Sequence, residues 1–311
     1  MDRCNLRCSY CMPLEGLKFL PEENLLTAAE IGLVTEAAVS AGFRKFRITG
    51  GEPTLRKDLT EIVSRMRAVA PSADIAMTTN GIQLPGLAEN LKSAGLDRVN
   101  IHLDTLEGER IRQIMRLADL DKILAGIEAA SAAGLTPIKL NSVVVRDLND
   151  NDLVEMARLT IDQPIHVRFI ELMPFGSGEP EEIARQQVVP SAESRQKIEA
   201  ALGELIPDPS PDPADESRNF RFANAQGNIG FISPVSDPFC GFCNRVRLSA
   251  EGKLLLCLLR DDEADLRSVI RSGGGVKAIR YALSKAILQK PVGHALDQGI
   301  HSSRRMHEIG G

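Results

Sequence analysis

From residue 27 to residue 172 the chain alternates segments of helical period with short runs in which apolar and polar residues take turns. Thr27-Ala-Ala-Glu30 has the form of a capping box, and Leu26 and Ile31 stand where a hydrophobic staple would, so a helix opens there and should run to Gly42. The same ending recurs. Ser40-Ala-Gly-Phe43, Ser93-Ala-Gly-Leu96 and Ala132-Ala-Gly-Leu135 each read as helix, glycine cap, then strand. Strands are predicted over 43–49, 74–79, 97–104, 137–145 and 165–172, and their alternation with helices points to an α/β fold with a parallel sheet and crossover helices.

The strands carry polar residues in register with apolar ones. Ile101 and Leu103 alternate with Asn100, His102 and Asp104; Ile138 and Leu140 with Lys139 and Asn141; Phe46 and Ile48 with Lys45, Arg47 and Thr49; Val167 and Phe169 flank Arg168. Crossover helices must cover the apolar face, so the polar face either lines a cavity or is the wet side of an open sheet. The pattern favours a barrel whose lumen is lined by Lys, Arg, Asn, Thr and Asp instead of the usual Val, Ile and Leu. Chemistry would then gather at the carboxyl ends of the strands, where Thr49-Gly-Gly-Glu-Pro53, Thr78-Thr-Asn-Gly81 and Glu171-Leu-Met-Pro174 fall. Further on, Pro207-Asp-Pro-Ser-Pro-Asp-Pro213 cannot continue a helix and marks a loop or boundary. Short strands follow over 220–233, and helical pattern returns near 261–271 and 275–289.

Charge narrows the partners. With 37 Lys and Arg against 42 Asp and Glu the net charge is −5, which argues against a general nucleic-acid binder. Trp is absent and aromatics make up 4%, which removes the stacking platforms of single-strand binders. No apolar run approaches the ~18 residues of a membrane span, and charge follows Met1 where a signal peptide would be apolar, so a cytoplasmic protein is expected.

All six cysteines lie in two triplets, Cys4, Cys8 and Cys11, then Cys240, Cys243 and Cys257. Thiols three and four residues apart in such a chain more often bind metal than form disulfides. A structural zinc site needs four ligands, and His102 and His294, the histidines nearest to each triplet, are not at finger spacing; zinc stays open for the second triplet. A four-iron cube takes one thiolate per iron, so three cysteines would leave one iron open to a small molecule.

Cys4-Asn-Leu-Arg-Cys8-Ser-Tyr-Cys11, with Tyr10 before the last thiol, resembles the motif of the radical S-adenosylmethionine superfamily, and Gly50-Gly-Glu-Pro53 resembles the superfamily segment that holds the cofactor's methionine amino group. The second triplet, with Arg245-Val246-Arg247 between Cys243 and Cys257, and the terminal Gly310-Gly311 resemble the GTP 3′,8-cyclase family of molybdenum cofactor biosynthesis over essentially the whole chain. The resemblance implies an incomplete (β/α)6 TIM-like barrel over 1–190, with a cluster-binding α+β extension and tail over 191–311. It implies two 4Fe-4S clusters, one per triplet, and S-adenosylmethionine, whose reductive cleavage yields a 5′-deoxyadenosyl radical. That radical takes the 3′ hydrogen of GTP, and the ribosyl radical closes on C8 of guanine, giving the 3′,8-cyclo-dihydroguanosine triphosphate that a cyclic pyranopterin monophosphate synthase consumes.

Residue by residue, the family's cofactor contacts carry over to Tyr10, Gly51 and Met173, and its GTP contacts to Arg47, Thr78, Lys139, Arg245, Val246 and Arg247, with Lys45 and Arg168 added by position. The diglycine tail, Gly310 and Gly311, would thread into the pocket in a catalytic role. His102 departs from the family's usual serine and would either bond the cofactor's ribose or fill the lumen. Family members also carry a longer leader with a first barrel strand and an arginine that contacts GTP, so this polypeptide is expected to be impaired. An electron donor of unspecified identity is implied, and monomer and homodimer both stay open. Two other readings remain: a peptide-modifying radical enzyme with an auxiliary cluster, and a metal-binding structural or sensing module.

Overall fold

The computed structural model describes residues 1–15, 17–175, 186–210 and 212–310, so Gly311 lies outside the described residues. Six parallel strands form the centre: β1 (Lys45–Ile48), β2 (Asp74–Thr79), β3 (Arg98–His102), β4 (Lys139–Val144), β5 (His166–Glu171) and, later in the chain, β8 (Asn228–Ile232). The short β6 (Ile206–Pro207) and β7 (Arg218–Arg221) extend the sheet antiparallel beyond β8, in the order β1-β2-β3-β4-β5-β8-β7-β6. The sheet does not close on itself among the described residues, and the fold is a partial TIM-like barrel.

Among the described residues seven helices accompany the sheet: α1 (Ala28–Ser40), α2 (Leu59–Val69), α3 (Ala88–Ala94), α4 (Gly108–Ile114), α5 (Leu120–Ala132), α6 (Leu153–Asp162) and α7 (Ser191–Leu202). α1 begins as its sequence predicts: the Thr27 side chain caps Glu30 N–H and the Glu30 carboxylate returns to Thr27 N–H. Ile75, Val99, Ile101 and Val167 are fully buried between sheet and helices, which is where the alternation of the strands sends their apolar members.

The extension is a second, smaller assembly. β9 (Arg247–Leu248), β10 (Lys253–Leu255) and β11 (Glu263–Asp265) form an antiparallel sheet followed by α8 (Leu266–Arg271) and α9 (Gly275–Ile287), and α10 (Met306–Ile309) lies near the end of the chain. Leu254, Leu266, Ile279 and Leu283 share an apolar core with Leu26, Val34 and Ala37 of the α1 region, which fixes this assembly against the barrel. The helix expected near 261–271 starts only at Leu266, because residues 263–265 pair with β10 instead.

Ile101→Ala should lower stability by about 2–5 kcal/mol through lost burial and the void it leaves, whereas Leu288→Ala, at a side chain 88% exposed, should stay within about 0.5 kcal/mol. Denaturant titration of the two variants beside the parent checks the contrast.

Candidate active site

Register brings the polar residues of the strands into rungs. Thr78, Asn100, Lys139, His166 and Asn228 are successive cross-strand neighbours, and so are His102, Asn141, Arg168 and Gly230. Asn100, Asn141 and Arg168 are buried, so the polar face looks inward. Arg168 donates from Nε to Asn141 Oδ1 at 2.9 Å and from Nη1 to the Glu216 carboxylate at 3.2 Å. Arg47 of β1 reaches the same Glu216 oxygen at 3.3 Å, and Arg245 donates to its other oxygen and to the Ala214 carbonyl. Burial alone would raise the Glu216 pKa; Arg47, Arg168 and Arg245 override it and hold the carboxyl far below the usual range.

The cations pay no such compliment to one another: burial, then Arg168 and Arg98, bring Lys139 down to about 8, and burial with Arg47 brings Arg247 down to about 10. Lys45, on the exposed rim, pairs instead with Asp212. Asp212 belongs to the proline-rich segment that the sequence marks only as a loop or boundary, and Glu216 follows three residues past its end.

The first triplet is anchored to the carboxyl ends of β1, β2 and β3. Glu52 N–H donates to Arg3 O at 2.7 Å, Asn80 Nδ2 to Asn5 Oδ1 at 2.8 Å, and the Tyr10 hydroxyl to Asp104 Oδ2 at 2.7 Å. A Cβ on Gly51 would stand 2.2 Å from Arg3 O, so glycine is needed where the cysteine loop crosses the strand end. Glu52, fully buried, secures the crossing by accepting from Thr54 N–H and hydroxyl, the Thr79 hydroxyl and Asn80 N–H. Met173, half-buried, follows β5 at the same end of the sheet.

His102 lies within 2.6 Å of the Tyr10 hydroxyl and 3.0 Å of Asp104 Oδ2. Burial lowers its pKa, but the charge of Asp104 and the hydrogen bond to it raise it further, so the net shift is upward. The imidazole therefore has two protein partners inside the lumen.

The second triplet connects to the first through the tail. Arg247 donates to the Gly310 carbonyl, and a Cβ on Gly310 would meet Thr49 Cγ2 at 2.7 Å. Three residues earlier, the backbone of His307 hydrogen-bonds the Cys11 thiol. Arg247 is in turn close enough to Cys243 to feel its charge. The Val246 side chain packs with the extension's apolar core. At the end of β5, Glu171 accepts from Ser191, Val235 and Ser236 N–H, which ties the strand to the loop entering Cys240.

All six cysteines are free and half-buried. Burial raises the Cys4 and Cys257 pKa values; burial and then Cys11 raise Cys8 well above its ordinary value, and burial with the Cys4 charge pushes Cys11 up to about 12. Such thiols stay protonated until a metal exchanges for the proton. Among the described residues no three ligating side chains are already gathered as a metal site. Three thiols per triplet are the donor type an iron-sulfur cube takes, one thiolate per corner iron. Sequence reasoning missed Glu216 and His307, a single carboxylate and a single imidazole with no neighbouring repeat or spacing to mark them, and it gave Asp104 and Glu52 a place at the strand ends but no partners.

A parallel partial barrel with a three-cysteine loop over its strand ends defines an iron-sulfur radical enzyme class, and comparison with known proteins agrees. Residues 1–160 match the Radical SAM superfamily model and residues 165–296 match Molybdenum Cofactor Synthesis C. GTP 3′,8-cyclases from Pelotomaculum thermopropionicum and Heliobacterium modesticaldum are each 45% identical, covering 100% of this chain and 95% of the relative. The one from Geobacter sulfurreducens is 41% identical and covered over 94% of its length. The chain belongs to the GTP 3′,8-cyclase family of the radical SAM superfamily.

Burial, then Lys139 and Arg168, lower the His166 pKa to about 4 from an ordinary 6.5. Between those values the unfolded chain binds a proton that the folded chain refuses, so this contribution is complete above pH 6.5 and is lost as pH falls toward 4. His166→Asn should flatten the decline in denaturation midpoint between pH 7 and 5. The slope removed will be less than the ~1.4 kcal/mol per pH unit of a fully buried group, because the ring is partly exposed.

Proposed function

We propose that the inward-facing cations of the sheet bind the triphosphate and ribose of GTP and that the chain converts GTP to (8S)-3′,8-cyclo-7,8-dihydroguanosine 5′-triphosphate, the first step of molybdenum cofactor biosynthesis. The observation that carries this reading is a set of buried polar atoms, most of them donors, with nothing to bond. Arg168 Nη2, Arg245 Nη1, the Thr78 hydroxyl and both amide atoms of Asn100 lack partners. Buried unpaired donors are costly, and a ligand rich in oxygen acceptors resolves the cost. A triphosphate carries about four negative charges, which forked guanidiniums meet in pairs.

Cys4, Cys8 and Cys11 would hold a 4Fe-4S cluster whose open iron takes S-adenosylmethionine, with Tyr10, Gly51, Met173 and His102 around it; bound together they supply one-electron chemistry at the strand ends. Cys240, Cys243 and Cys257 would hold a second cluster beside Arg245 and Arg247. The residues of the chain itself do three things. Arg47, Lys139, Arg168 and Arg245 neutralise and orient the phosphates, Thr78 and Asn100 face the lumen with free polar atoms, and the tail at Gly310 packs against Thr49 and Gly50 between the two triplets. A nucleotide suits this arginine-lined chamber better than a peptide, which presents no comparable charge density. A cyclic pyranopterin monophosphate synthase would consume the product, and an external electron donor would be required.

Anaerobically reconstituted protein should contain about eight irons per chain, falling to about four when Cys240, Cys243 and Cys257 are replaced by Ala. Formation of 5′-deoxyadenosine should depend on GTP, and Arg168→Ala should lower kcat/KM by about 100-fold or more. Cleavage that ignores GTP would reject the reading. Phosphate binding beside Lys139, whose pKa is about 8 in the free chain, should raise that pKa. Nucleotide binding near pH 8 should therefore take up protons, detected by calorimetry in buffers of different ionisation enthalpy, and Lys139→Gln should abolish most of the uptake.

A further inference from the structure

The lumen already contains an anion of its own. Glu216, 11% exposed at its side chain, meets Arg47 from β1, Arg168 from β5 and Arg245 from the loop of the second triplet. These three guanidiniums come from separate parts of the chain, and among the described residues a single carboxylate joins them. Its segment is built into the lumen instead of lying across a surface. The Ala214 carbonyl accepts from Arg245 at 2.6 Å, Asp212 pairs with Lys45, and Ser217 lies so close to β8 that a Cβ on Gly230 would stand 2.1 Å from its hydroxyl. Gly230 is also the cross-strand neighbour of Arg168, so the absence of a side chain there admits both the segment and the guanidinium. The pairing is nevertheless incomplete, since Arg168 Nη2 and Arg245 Nη1 remain buried without partners.

We propose that Glu216 is an internal competitor for the phosphates of the substrate, holding Arg47, Arg168 and Arg245 together in the free enzyme and surrendering them when a triphosphate enters. This rests on the reading of the lumen as a nucleotide triphosphate site. One carboxylate offers a single charge and two oxygens, against about four charges and many oxygens on a triphosphate. A ligand must repay the cost of displacing the carboxylate, and that cost is the same for every anion that takes all three arginines, so Glu216 lowers each such affinity by a common factor. A triphosphate can repay it with charge to spare.

The test uses the reconstituted holoenzyme, with inorganic tripolyphosphate and GTP as probes in calorimetry. Glu216→Gln keeps the shape and removes the charge; it should bind tripolyphosphate about tenfold more tightly and GTP by a similar factor. Unchanged or weaker tripolyphosphate binding by a folded Glu216→Gln protein overturns the proposal and makes Glu216 an organiser of the arginines only. Should that variant fail to fold, hydrogen exchange of residues 212–217 in the parent protein decides: exchange should rise when tripolyphosphate binds, and exchange that is unchanged or slowed rejects displacement. A parent protein that binds neither GTP nor tripolyphosphate overturns the lumen reading and this inference with it, whereas one that binds both without release of the segment overturns this inference alone.

Discussion

Arg168 is 3% exposed, and Lys139 stands one strand away on the same inward face. Buried like charges at this separation repel with little water to screen them, which is visible in the downward pull that Arg168 exerts on both Lys139 and His166. A sheet face carrying such a load is tolerable only if an anion completes it. In the free chain that anion is Glu216, and the geometry of every group around it follows. Asn141 holds the far side of Arg168, Gly230 leaves room for it, and the 212–217 segment folds inward to deliver the carboxylate. The barrel's polar interior is thus an electrostatic arrangement before it is a catalytic one.

Most of the barrel was legible in the sequence because its two periodicities are local. The five predicted strands reappear within two residues of their expected ends, and α1 opens on the predicted capping box. The inward orientation of Asn100, Asn141 and Arg168 could be read from simple alternation, since a residue's face in a strand is fixed by its parity. What resisted was everything that depends on the return of distant chain. β8 enters the sheet beside β5 from 57 positions after that strand's end, counting from Glu171 to Asn228, and β11 replaces the first turn of an expected helix because β10 offers it a partner. Asp-Glu after a proline cluster looks like any solvated loop; only the fold reveals that Glu216 is nearly buried.

The cysteine motifs stood out for another reason. Their spacing is itself a signal, since a short loop that serves a cluster must present several thiolates to it. The carboxylates that keep those loops in place carry no such signature. Glu52 and Glu171 each collect donors from segments far apart in the chain, Glu52 at the end of β1 and Glu171 at the end of β5. They occupy equivalent positions, one under the first triplet and one under the approach to the second. Removing either charge would leave several backbone N–H groups unpaired at a strand end, which is why a buried carboxylate persists there despite the cost of its desolvation.

The two thiol triplets are joined by the tail and not by the sheet. Cys11 contacts the His307 backbone, Gly310 packs on Thr49, and Arg247 beside Cys243 binds the Gly310 carbonyl, so the sequence of contacts runs from one triplet to the other through four residues of chain. Gly310 has φ +76°, a conformation that a side chain disfavours, and a Cβ there would strike the strand end. Ile309 and His307 are buried, which anchors the tail on the protein side. A segment held this firmly at both ends cannot serve as a loose cover. It fixes Arg247 with respect to Thr49 and Gly50, and so holds the loop of the second triplet at the end of β1.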